Sequence, residues 1–164
     1  MIQGRAWKYG DDVNTDVIFP GKYTYQPMEP EEMAQHAMED LDSTFAEKVR
    51  VGDVIVAGKN FGCGSSREQA ATCLKAAGVA AIIAPSFSRI FFRNAINNGL
   101  PVIELAEGTE EVRTGDEIEI DFEAGIVRHS GSEYRFPALP PEVLAILEDG
   151  GLIPHVRKVL GKSG

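Results

Sequence analysis

Apolar positions along the chain follow two different periods, and the change falls near residue 105. Before it, Val54–Ala57, Val79–Ala84 and Leu100–Leu105 are short runs almost free of polar residues, the pattern of strands buried on both faces. Helical spacing fills the gaps between them. Arg67 to Ala77 places Ala70, Cys73, Leu74 and Ala77 on one side and ends at Gly78. A second helix, capped by Ser86, runs to about Asn97 and stops at Asn98-Gly99. Strand, loop, helix, strand, helix, strand is the order of an α/β fold with crossover connections. After residue 105, Glu117–Phe122, Ile126–His129 and Glu133–Phe136 alternate polar and apolar, with Gly125 and Gly131 between them, which predicts a small antiparallel meander.

The N-terminal third is more broken. Arg5–Tyr9 reads as an opening strand, residues 10–16 as a polar loop, and Val17–Phe19 as a second strand halted by Pro20-Gly21. Pro30 suits the first turn of a helix, and Met33, Ala34, Ala37, Met38 and Leu41 carry its apolar face to about Glu39. A last helix is expected over Pro141–Leu147, followed by a frayed tail at 161–164. No repeat or linker interrupts the chain, so residues 1–164 are expected to form one domain.

Charge narrows the function classes. With 16 basic against 25 acidic residues the formal charge is −9, and no Lys/Arg cluster offers the footprint a nucleic acid requires. No apolar run reaches the length of a membrane span, and the N-terminus lacks a signal-peptide pattern, so a cytoplasmic protein is expected. The two cysteines, Cys63 and Cys73, do not make a disulfide framework and cannot complete a four-thiolate metal site. Cys73 falls on an apolar helix face as a buried hydrophobe, and Cys63 is expected to line a site rather than attack.

The candidate chemistry is concentrated in Asn60-Phe61-Gly62-Cys63-Gly64-Ser65-Ser66-Arg67-Glu68-Gln69, between a strand and a helix. Gly62 and Gly64 allow a sharp turn and close approach of a ligand. Two serines and the first helix amides offer donors where the helix dipole favours negative charge. Arg67 adds a guanidinium that can grip a carboxylate with two parallel bonds. The turn is not a dinucleotide fingerprint, because Arg67 stands where the third glycine belongs, and it is neither a nucleophile elbow nor a P-loop. A simpler role, Ser65 or Ser66 capping the helix with Glu68 or Gln69 reaching back, is expected alongside anion binding. Asp11, Asp12 and Asn14 fit a side-chain-bonded turn, while Asp16 is the acid best placed to orient a reactive group. Arg89 and Arg93 share a helix face among Phe87, Ile90, Phe91 and Phe92, which suggests partial burial and a role in pairing or ligand binding. His36, His129 and His155 lack metal-ligand spacing.

Four segments together resemble the small-subunit family of 3-isopropylmalate dehydratase, in the aconitase superfamily. They are Val13-Asn14-Thr15-Asp16-Val17-Ile18, the run from Gly52 to Gly58, the run from Asn60 to Ala70, and Ser86-Phe87-Ser88-Arg89-Ile90-Phe91-Phe92-Arg93-Asn94 through Gly99. Gly150-Gly151-Leu152-Ile153-Pro154 is similar to the tail of its short, archaeal-type members. The resemblance implies the swivelling β/β/α domain and a hydro-lyase that interconverts 2-isopropylmalate and 3-isopropylmalate through an alkene. It implies that this chain binds no cofactor or metal and that a large subunit carries a [4Fe–4S] cluster. It also implies Ser65 as general base, Arg67 and Ser66 as holders of a substrate carboxylate, and Asp16 as the residue that orients them.

The loop from Gly21 to Met28 reads the substrate's variable group in the relatives, which makes Thr24 and Tyr25 substrate-binding candidates. Relatives that act on a third carboxylate place an arginine there, whereas this chain has none until Arg50. An unmatched buried carboxylate costs on the order of several kcal/mol, so an alkyl malate is expected. Other alkyl malates (2,3-dimethylmalate, citramalate) and a homoaconitase role are the alternatives. A carboxylate-binding module without a catalytic partner is a further one, disfavoured by the intact Ser65, Ser66, Arg67 and Asp16.

Overall fold

The computed structural model describes residues 1–163. Its strands are β1 (Ile2–Lys8), β2 (Val54–Val56), β3 (Ala81–Ala84), β4 (Val102–Glu104), β5 (Glu117–Asp121), β6 (Ile126–His129) and β7 (Ser132–Arg135). They form one sheet in the order β4-β3-β2-β1-β5-β6-β7. The first four run parallel, with Ala6 opposite Val54, Val54 opposite Ala81, and Ile82 opposite Val102. β5 pairs antiparallel with β1 and leads into the β6–β7 meander.

The helices are α1 (Thr15–Ile18), α2 (Pro30–Ala34), α3 (Phe45–Lys48), α4 (Glu68–Ala76), α5 (Arg89–Asn97), α6 (Pro141–Glu148) and α7 (Leu152–Ser163). One face of the parallel strands, with Trp7, Ile55 and Ile82, packs on Phe19, Phe45, Leu74 and Phe91 of the helical layer. The opposite face, with Ala6, Val54, Val56 and Ile83, packs on Ile118, Ile120 and Val127, so the sheet curls and its meander covers its own back. The central strands are therefore buried on both faces, which is why their sequence runs are continuous and those of the meander alternate.

Several local expectations are corrected. Residues 17–19 are not a strand: Thr15–Ile18 is helical, because the Asn14 side chain accepts from the Val17 amide at 3.1 Å and Asp16 sits in the first turn. A cap of this kind outweighs the β preference of three residues. The helix from Pro30 ends at Ala34, and the chain then turns until Met38, at φ +60°, donates its amide to the Ile18 carbonyl at 2.7 Å. α5 starts at Arg89 rather than Ser86. Residues 161–163 belong to α7, a helix that Gly150-Gly151 and Pro154 hide from a periodicity reading; the rest of the expected frayed tail, residue 164, lies outside the described residues.

Candidate functional site: the turn before α4

Parallel strands deliver their following loops to one edge of a sheet, where ligands of α/β folds bind. Here the loops after β1, β2 and β3 are laced together at that edge. The Gly62 amide donates to the Val13 carbonyl at 2.7 Å, the Thr15 amide to Cys63 at 2.9 Å, and the Thr15 hydroxyl to the Ser65 carbonyl at 2.8 Å. On the other side Phe61 donates to the Ser86 carbonyl at 3.1 Å and accepts from the Ser88 amide at 3.0 Å. Ser86 Oγ accepts from the Asn60 amide at 2.8 Å, so this serine holds the Gly-rich turn rather than capping α5. Asp11 and Asp12 also serve the turn, accepting from the Lys59 amide at 2.8 Å and from Asn60 Nδ2 at 3.1 Å.

Gly62 and Gly64 have φ of +82° and +93°. A Cβ on Gly62 would lie 2.3 Å from Cγ of Phe91, a ring packed edge-on against Phe61 in the core. The turn is thereby pressed against the helical layer, and Ser65 and Ser66 emerge exposed at its crest. The cap position of α4 is Arg67, and no side chain caps it. The expected serine cap is thus absent, because both serines precede the cap position, and the dipole of α4 is not closed by its own chain.

Arg67 is folded back beneath the crest. Its Nη1 bonds Asp16 Oδ1 in the first turn of α1 and lies 3.4 Å from the Phe19 carbonyl. The guanidinium-bearing side chain is 17% exposed and the Asp16 side chain 60%. Gly21 is seated against this pair, since a Cβ there would come within 3.0 Å of Arg67 Nη2 and 3.2 Å of Asp16 Oδ1.

The loop after Gly21 crosses the first turn of α4, where Gln69 Nε2 donates to the Thr24 carbonyl at 3.5 Å. Thr24 Oγ1 is buried with no hydrogen-bond partner, and Tyr25 is 96% exposed. Tyr23 fixes the loop from below, stacked on His36 with centroids 4.0 Å apart and donating to Glu39 at 3.3 Å. The His36 hydrogen bond, helped by Tyr23 and Lys22 and opposed by partial burial, holds the Glu39 carboxyl below its ordinary range. His36 is therefore a brace of this loop.

Ser65, Ser66, Arg67 and Asp16 are brought to one place, with Thr24 beside α4 and Tyr25 pointing to solvent. Thr15 and Gly21 join them without having been given a role in the sequence, where the Pro20-Gly21 turn was the only hint, and Gln69, expected to reach back to a serine cap, bonds the Thr24 carbonyl instead. Arg89 and Arg93 are exposed, against the expected partial burial, and have no ion-pair partner among the described residues. Cys73 is fully buried, its Sγ 3.3 Å from the Ala70 carbonyl, and burial pushes its thiol pKa up. Cys63 is half-buried beside the serines. No three His, Cys, Asp or Glu residues are grouped to hold a metal ion among the described residues, and no described helix is long and apolar enough to cross a membrane.

The Aconitase C-terminal domain family matches residues 11–108, the span that contains every element of this site. The chain is 53% identical to the 3-isopropylmalate dehydratase small subunit 1 of Thermotoga maritima, over 96% of each chain. It is 52% identical to the methanogen homoaconitase small subunit of Methanothermobacter thermautotrophicus, over 100% of this chain and 96% of that one. A crystal structure of 3-isopropylmalate dehydratase from Methanocaldococcus jannaschii superposes with a TM-score of 0.91 at 45% identity, over 99% of both chains. With a family model spanning the site and relatives about half identical over nearly the whole chain, the chain belongs to the aconitase C-terminal domain family, in its 3-isopropylmalate dehydratase small-subunit branch.

Proposed function

We propose that this chain is the small subunit of a 3-isopropylmalate dehydratase, a hydro-lyase that isomerises 2-isopropylmalate and 3-isopropylmalate with a large subunit in leucine biosynthesis. The observation that carries the reading is the crest of Ser65 and Ser66 beside a guanidinium held by Asp16, in a chain about half identical to such subunits along its whole length.

In this reading Ser65 Oγ removes the proton from the carbon next to a substrate carboxylate. A serine hydroxyl is a poor acceptor unless its alkoxide is stabilised, and the uncapped amides and dipole of α4, with Arg67 alongside, supply that stabilisation. Arg67 has five donors, and Asp16 and the Phe19 carbonyl occupy only one of its terminal nitrogens. The rest of the fork is left to grip the substrate carboxylate, with the Ser66 hydroxyl assisting. Asp16 holds one terminal nitrogen of the guanidinium and so acts as its orienter. The exposed crest suits a site completed by another chain. Two thiols, one sealed in the core, do not fit an iron–sulfur cluster; a [4Fe–4S] cluster belongs in this account to the large subunit, where it supplies a Lewis acid for the leaving hydroxyl.

Specificity follows from the loop over α4. Thr24 and Tyr25 offer no cation to a third carboxylate, and the nearby Lys22 lies 3.7 Å from Glu39 and over the Tyr23 ring. An alkyl group loses nothing there, whereas an unpaired carboxylate bears its desolvation cost. The test is to assemble the chain anaerobically with its cognate large subunit and follow alkene absorbance with 3-isopropylmalate, 2,3-dimethylmalate, citramalate, homocitrate and citrate. The expected preference is for 3-isopropylmalate; faster turnover of homocitrate or citrate would move the chain to a homoaconitase role.

A further inference from the structure

We propose that the outward edge of α5, made by Arg89, Ile90 and Arg93, is the surface on which the large subunit docks. This rests on the two-subunit reading above and adds to it where the partner sits and what chemistry it presents.

Position comes first. The residues leading into α5 are stitched to the Gly-rich turn: Phe87 bridges Phe61, and the Ser88 amide donates to the Phe61 carbonyl. The α5 ring Phe91 lies against Gly62. A chain that closes over Ser65 from this side therefore meets the start of α5.

Charge and shape then select the partner's chemistry. Arg89 and Arg93 project one helical turn apart; like Arg50, Arg113, Arg135 and Arg157 they have no ion-pair partner among the described residues, but they alone of these flank the start of α5 beside the Gly-rich turn, on a chain of net charge −9. Between them Ile90 is 50% exposed. Beside them an open cleft of about 340 Å³ is lined by Phe87, Arg89, Phe92, Arg93 and Glu104. Glu104 stands beyond ion-pair reach of both arginines. Arginine next to half-buried aromatic rings is the composition of interface anchors, where a guanidinium is desolvated against an opposite charge and an apolar side chain fills the adjoining cleft. The matching surface on the large subunit is an apolar knob flanked by carboxylates. The stripe on α7, with Ile153 and Leu160 exposed, is the rival surface.

The experiment compares wild type, the double variant Arg89→Glu/Arg93→Glu, the milder Arg89→Gln/Arg93→Gln, and Ile153→Glu/Leu160→Glu, each titrated with the large subunit. Affinity is read by light scattering or calorimetry, and activity at limiting and saturating partner. The charge reversal is expected to weaken assembly on the order of tenfold to a hundredfold, the Gln pair less, with salt dependence reduced in both. Turnover at saturating large subunit should return to the wild-type value, as a docking role requires. Unchanged affinity in both arginine variants, or a kcat that stays low at saturation, would overturn the docking assignment. Failure of the wild-type chain itself to assemble would instead remove the two-subunit reading and this inference with it.

Discussion

Replacing Gly62 with alanine tests how the Gly-rich turn is held, and Gly64 provides a matched control within the same loop. Both glycines lie in the left-handed region, at φ +82° and +93°, where an L-residue costs about 1–2 kcal/mol. Their surroundings differ. The new Cβ at 62 would come 2.3 Å from Cγ and 2.4 Å from Cβ of Phe91. That ring cannot retreat easily, being buried, edge-on to Phe61 at 5.2 Å and stacked on Phe87 at 6.5 Å. Overpacking of this kind adds about 1–3 kcal/mol. At 64 the nearest atoms are Asn14 Cβ at 3.6 Å and Thr15 Oγ1 at 3.7 Å, ordinary contacts that add nothing. Gly62→Ala should therefore lose about 2–5 kcal/mol and Gly64→Ala about 1–2 kcal/mol. Urea denaturation followed by circular dichroism measures both; with a slope of about 1–3 kcal/mol per molar, the midpoints should differ by roughly 1 M. Equal midpoints would show that the Phe91 contact does not set the position of the turn.

Other consequences can be checked on the isolated chain or the assembled enzyme. Burial by itself would raise the Asp53 pKa, but bonds from Trp7 Nε1, the Arg50 amide and Arg5 outweigh it and hold the carboxyl below its ordinary range. Its depressed pKa stabilises the fold above the unfolded value of about 3.9, and that contribution is lost as pH falls further. Asp53→Asn should thus destabilise at pH 7 by about 1.5–3 kcal/mol and flatten the acid limb below about pH 4 in pH-dependent melting. Thr24→Val removes a buried hydroxyl that has no partner, so stability should hold or rise by about 1 kcal/mol in urea titration, with 3-isopropylmalate turnover kept. Tyr25→Arg supplies the missing cation at an exposed position; it should leave stability within about 0.5 kcal/mol and shift kcat/KM of the assembled enzyme toward homocitrate.

The parts of this fold visible in the sequence are those set by burial on both faces or by strict alternation. β2, β3 and β4 show as continuous apolar runs, and the meander shows as period two. What stayed hidden depends on short-range competition or on contacts between distant loops. A side-chain cap from Asn14 turned an apparent strand into α1, and the turns after α2 follow from Met38 reaching back to Ile18. The candidate site divides the same way. Gly62, Gly64, the serines and Arg67 stand together in the sequence, so their turn was legible. The grip of Thr15 on the Ser65 carbonyl and the packing of Gly21 against Arg67 join residues about fifty positions apart, which no local pattern records. The expected serine cap failed for a local reason, a cap position one residue later, and that failure leaves the serine hydroxyls and the α4 dipole available for chemistry.

The central claim is that Ser65 is the base. Among the described residues its hydroxyl makes no hydrogen bond, and the residue is exposed, so Ser65→Ala should change stability by no more than about 0.5 kcal/mol. Steady-state alkene formation from 3-isopropylmalate, by the anaerobically assembled wild-type and Ser65→Ala complexes at equal large-subunit saturation, tests the claim directly. The account predicts turnover in the wild type and its loss in the variant, with assembly intact. A Ser65→Ala complex that turns over at the wild-type rate would contradict it.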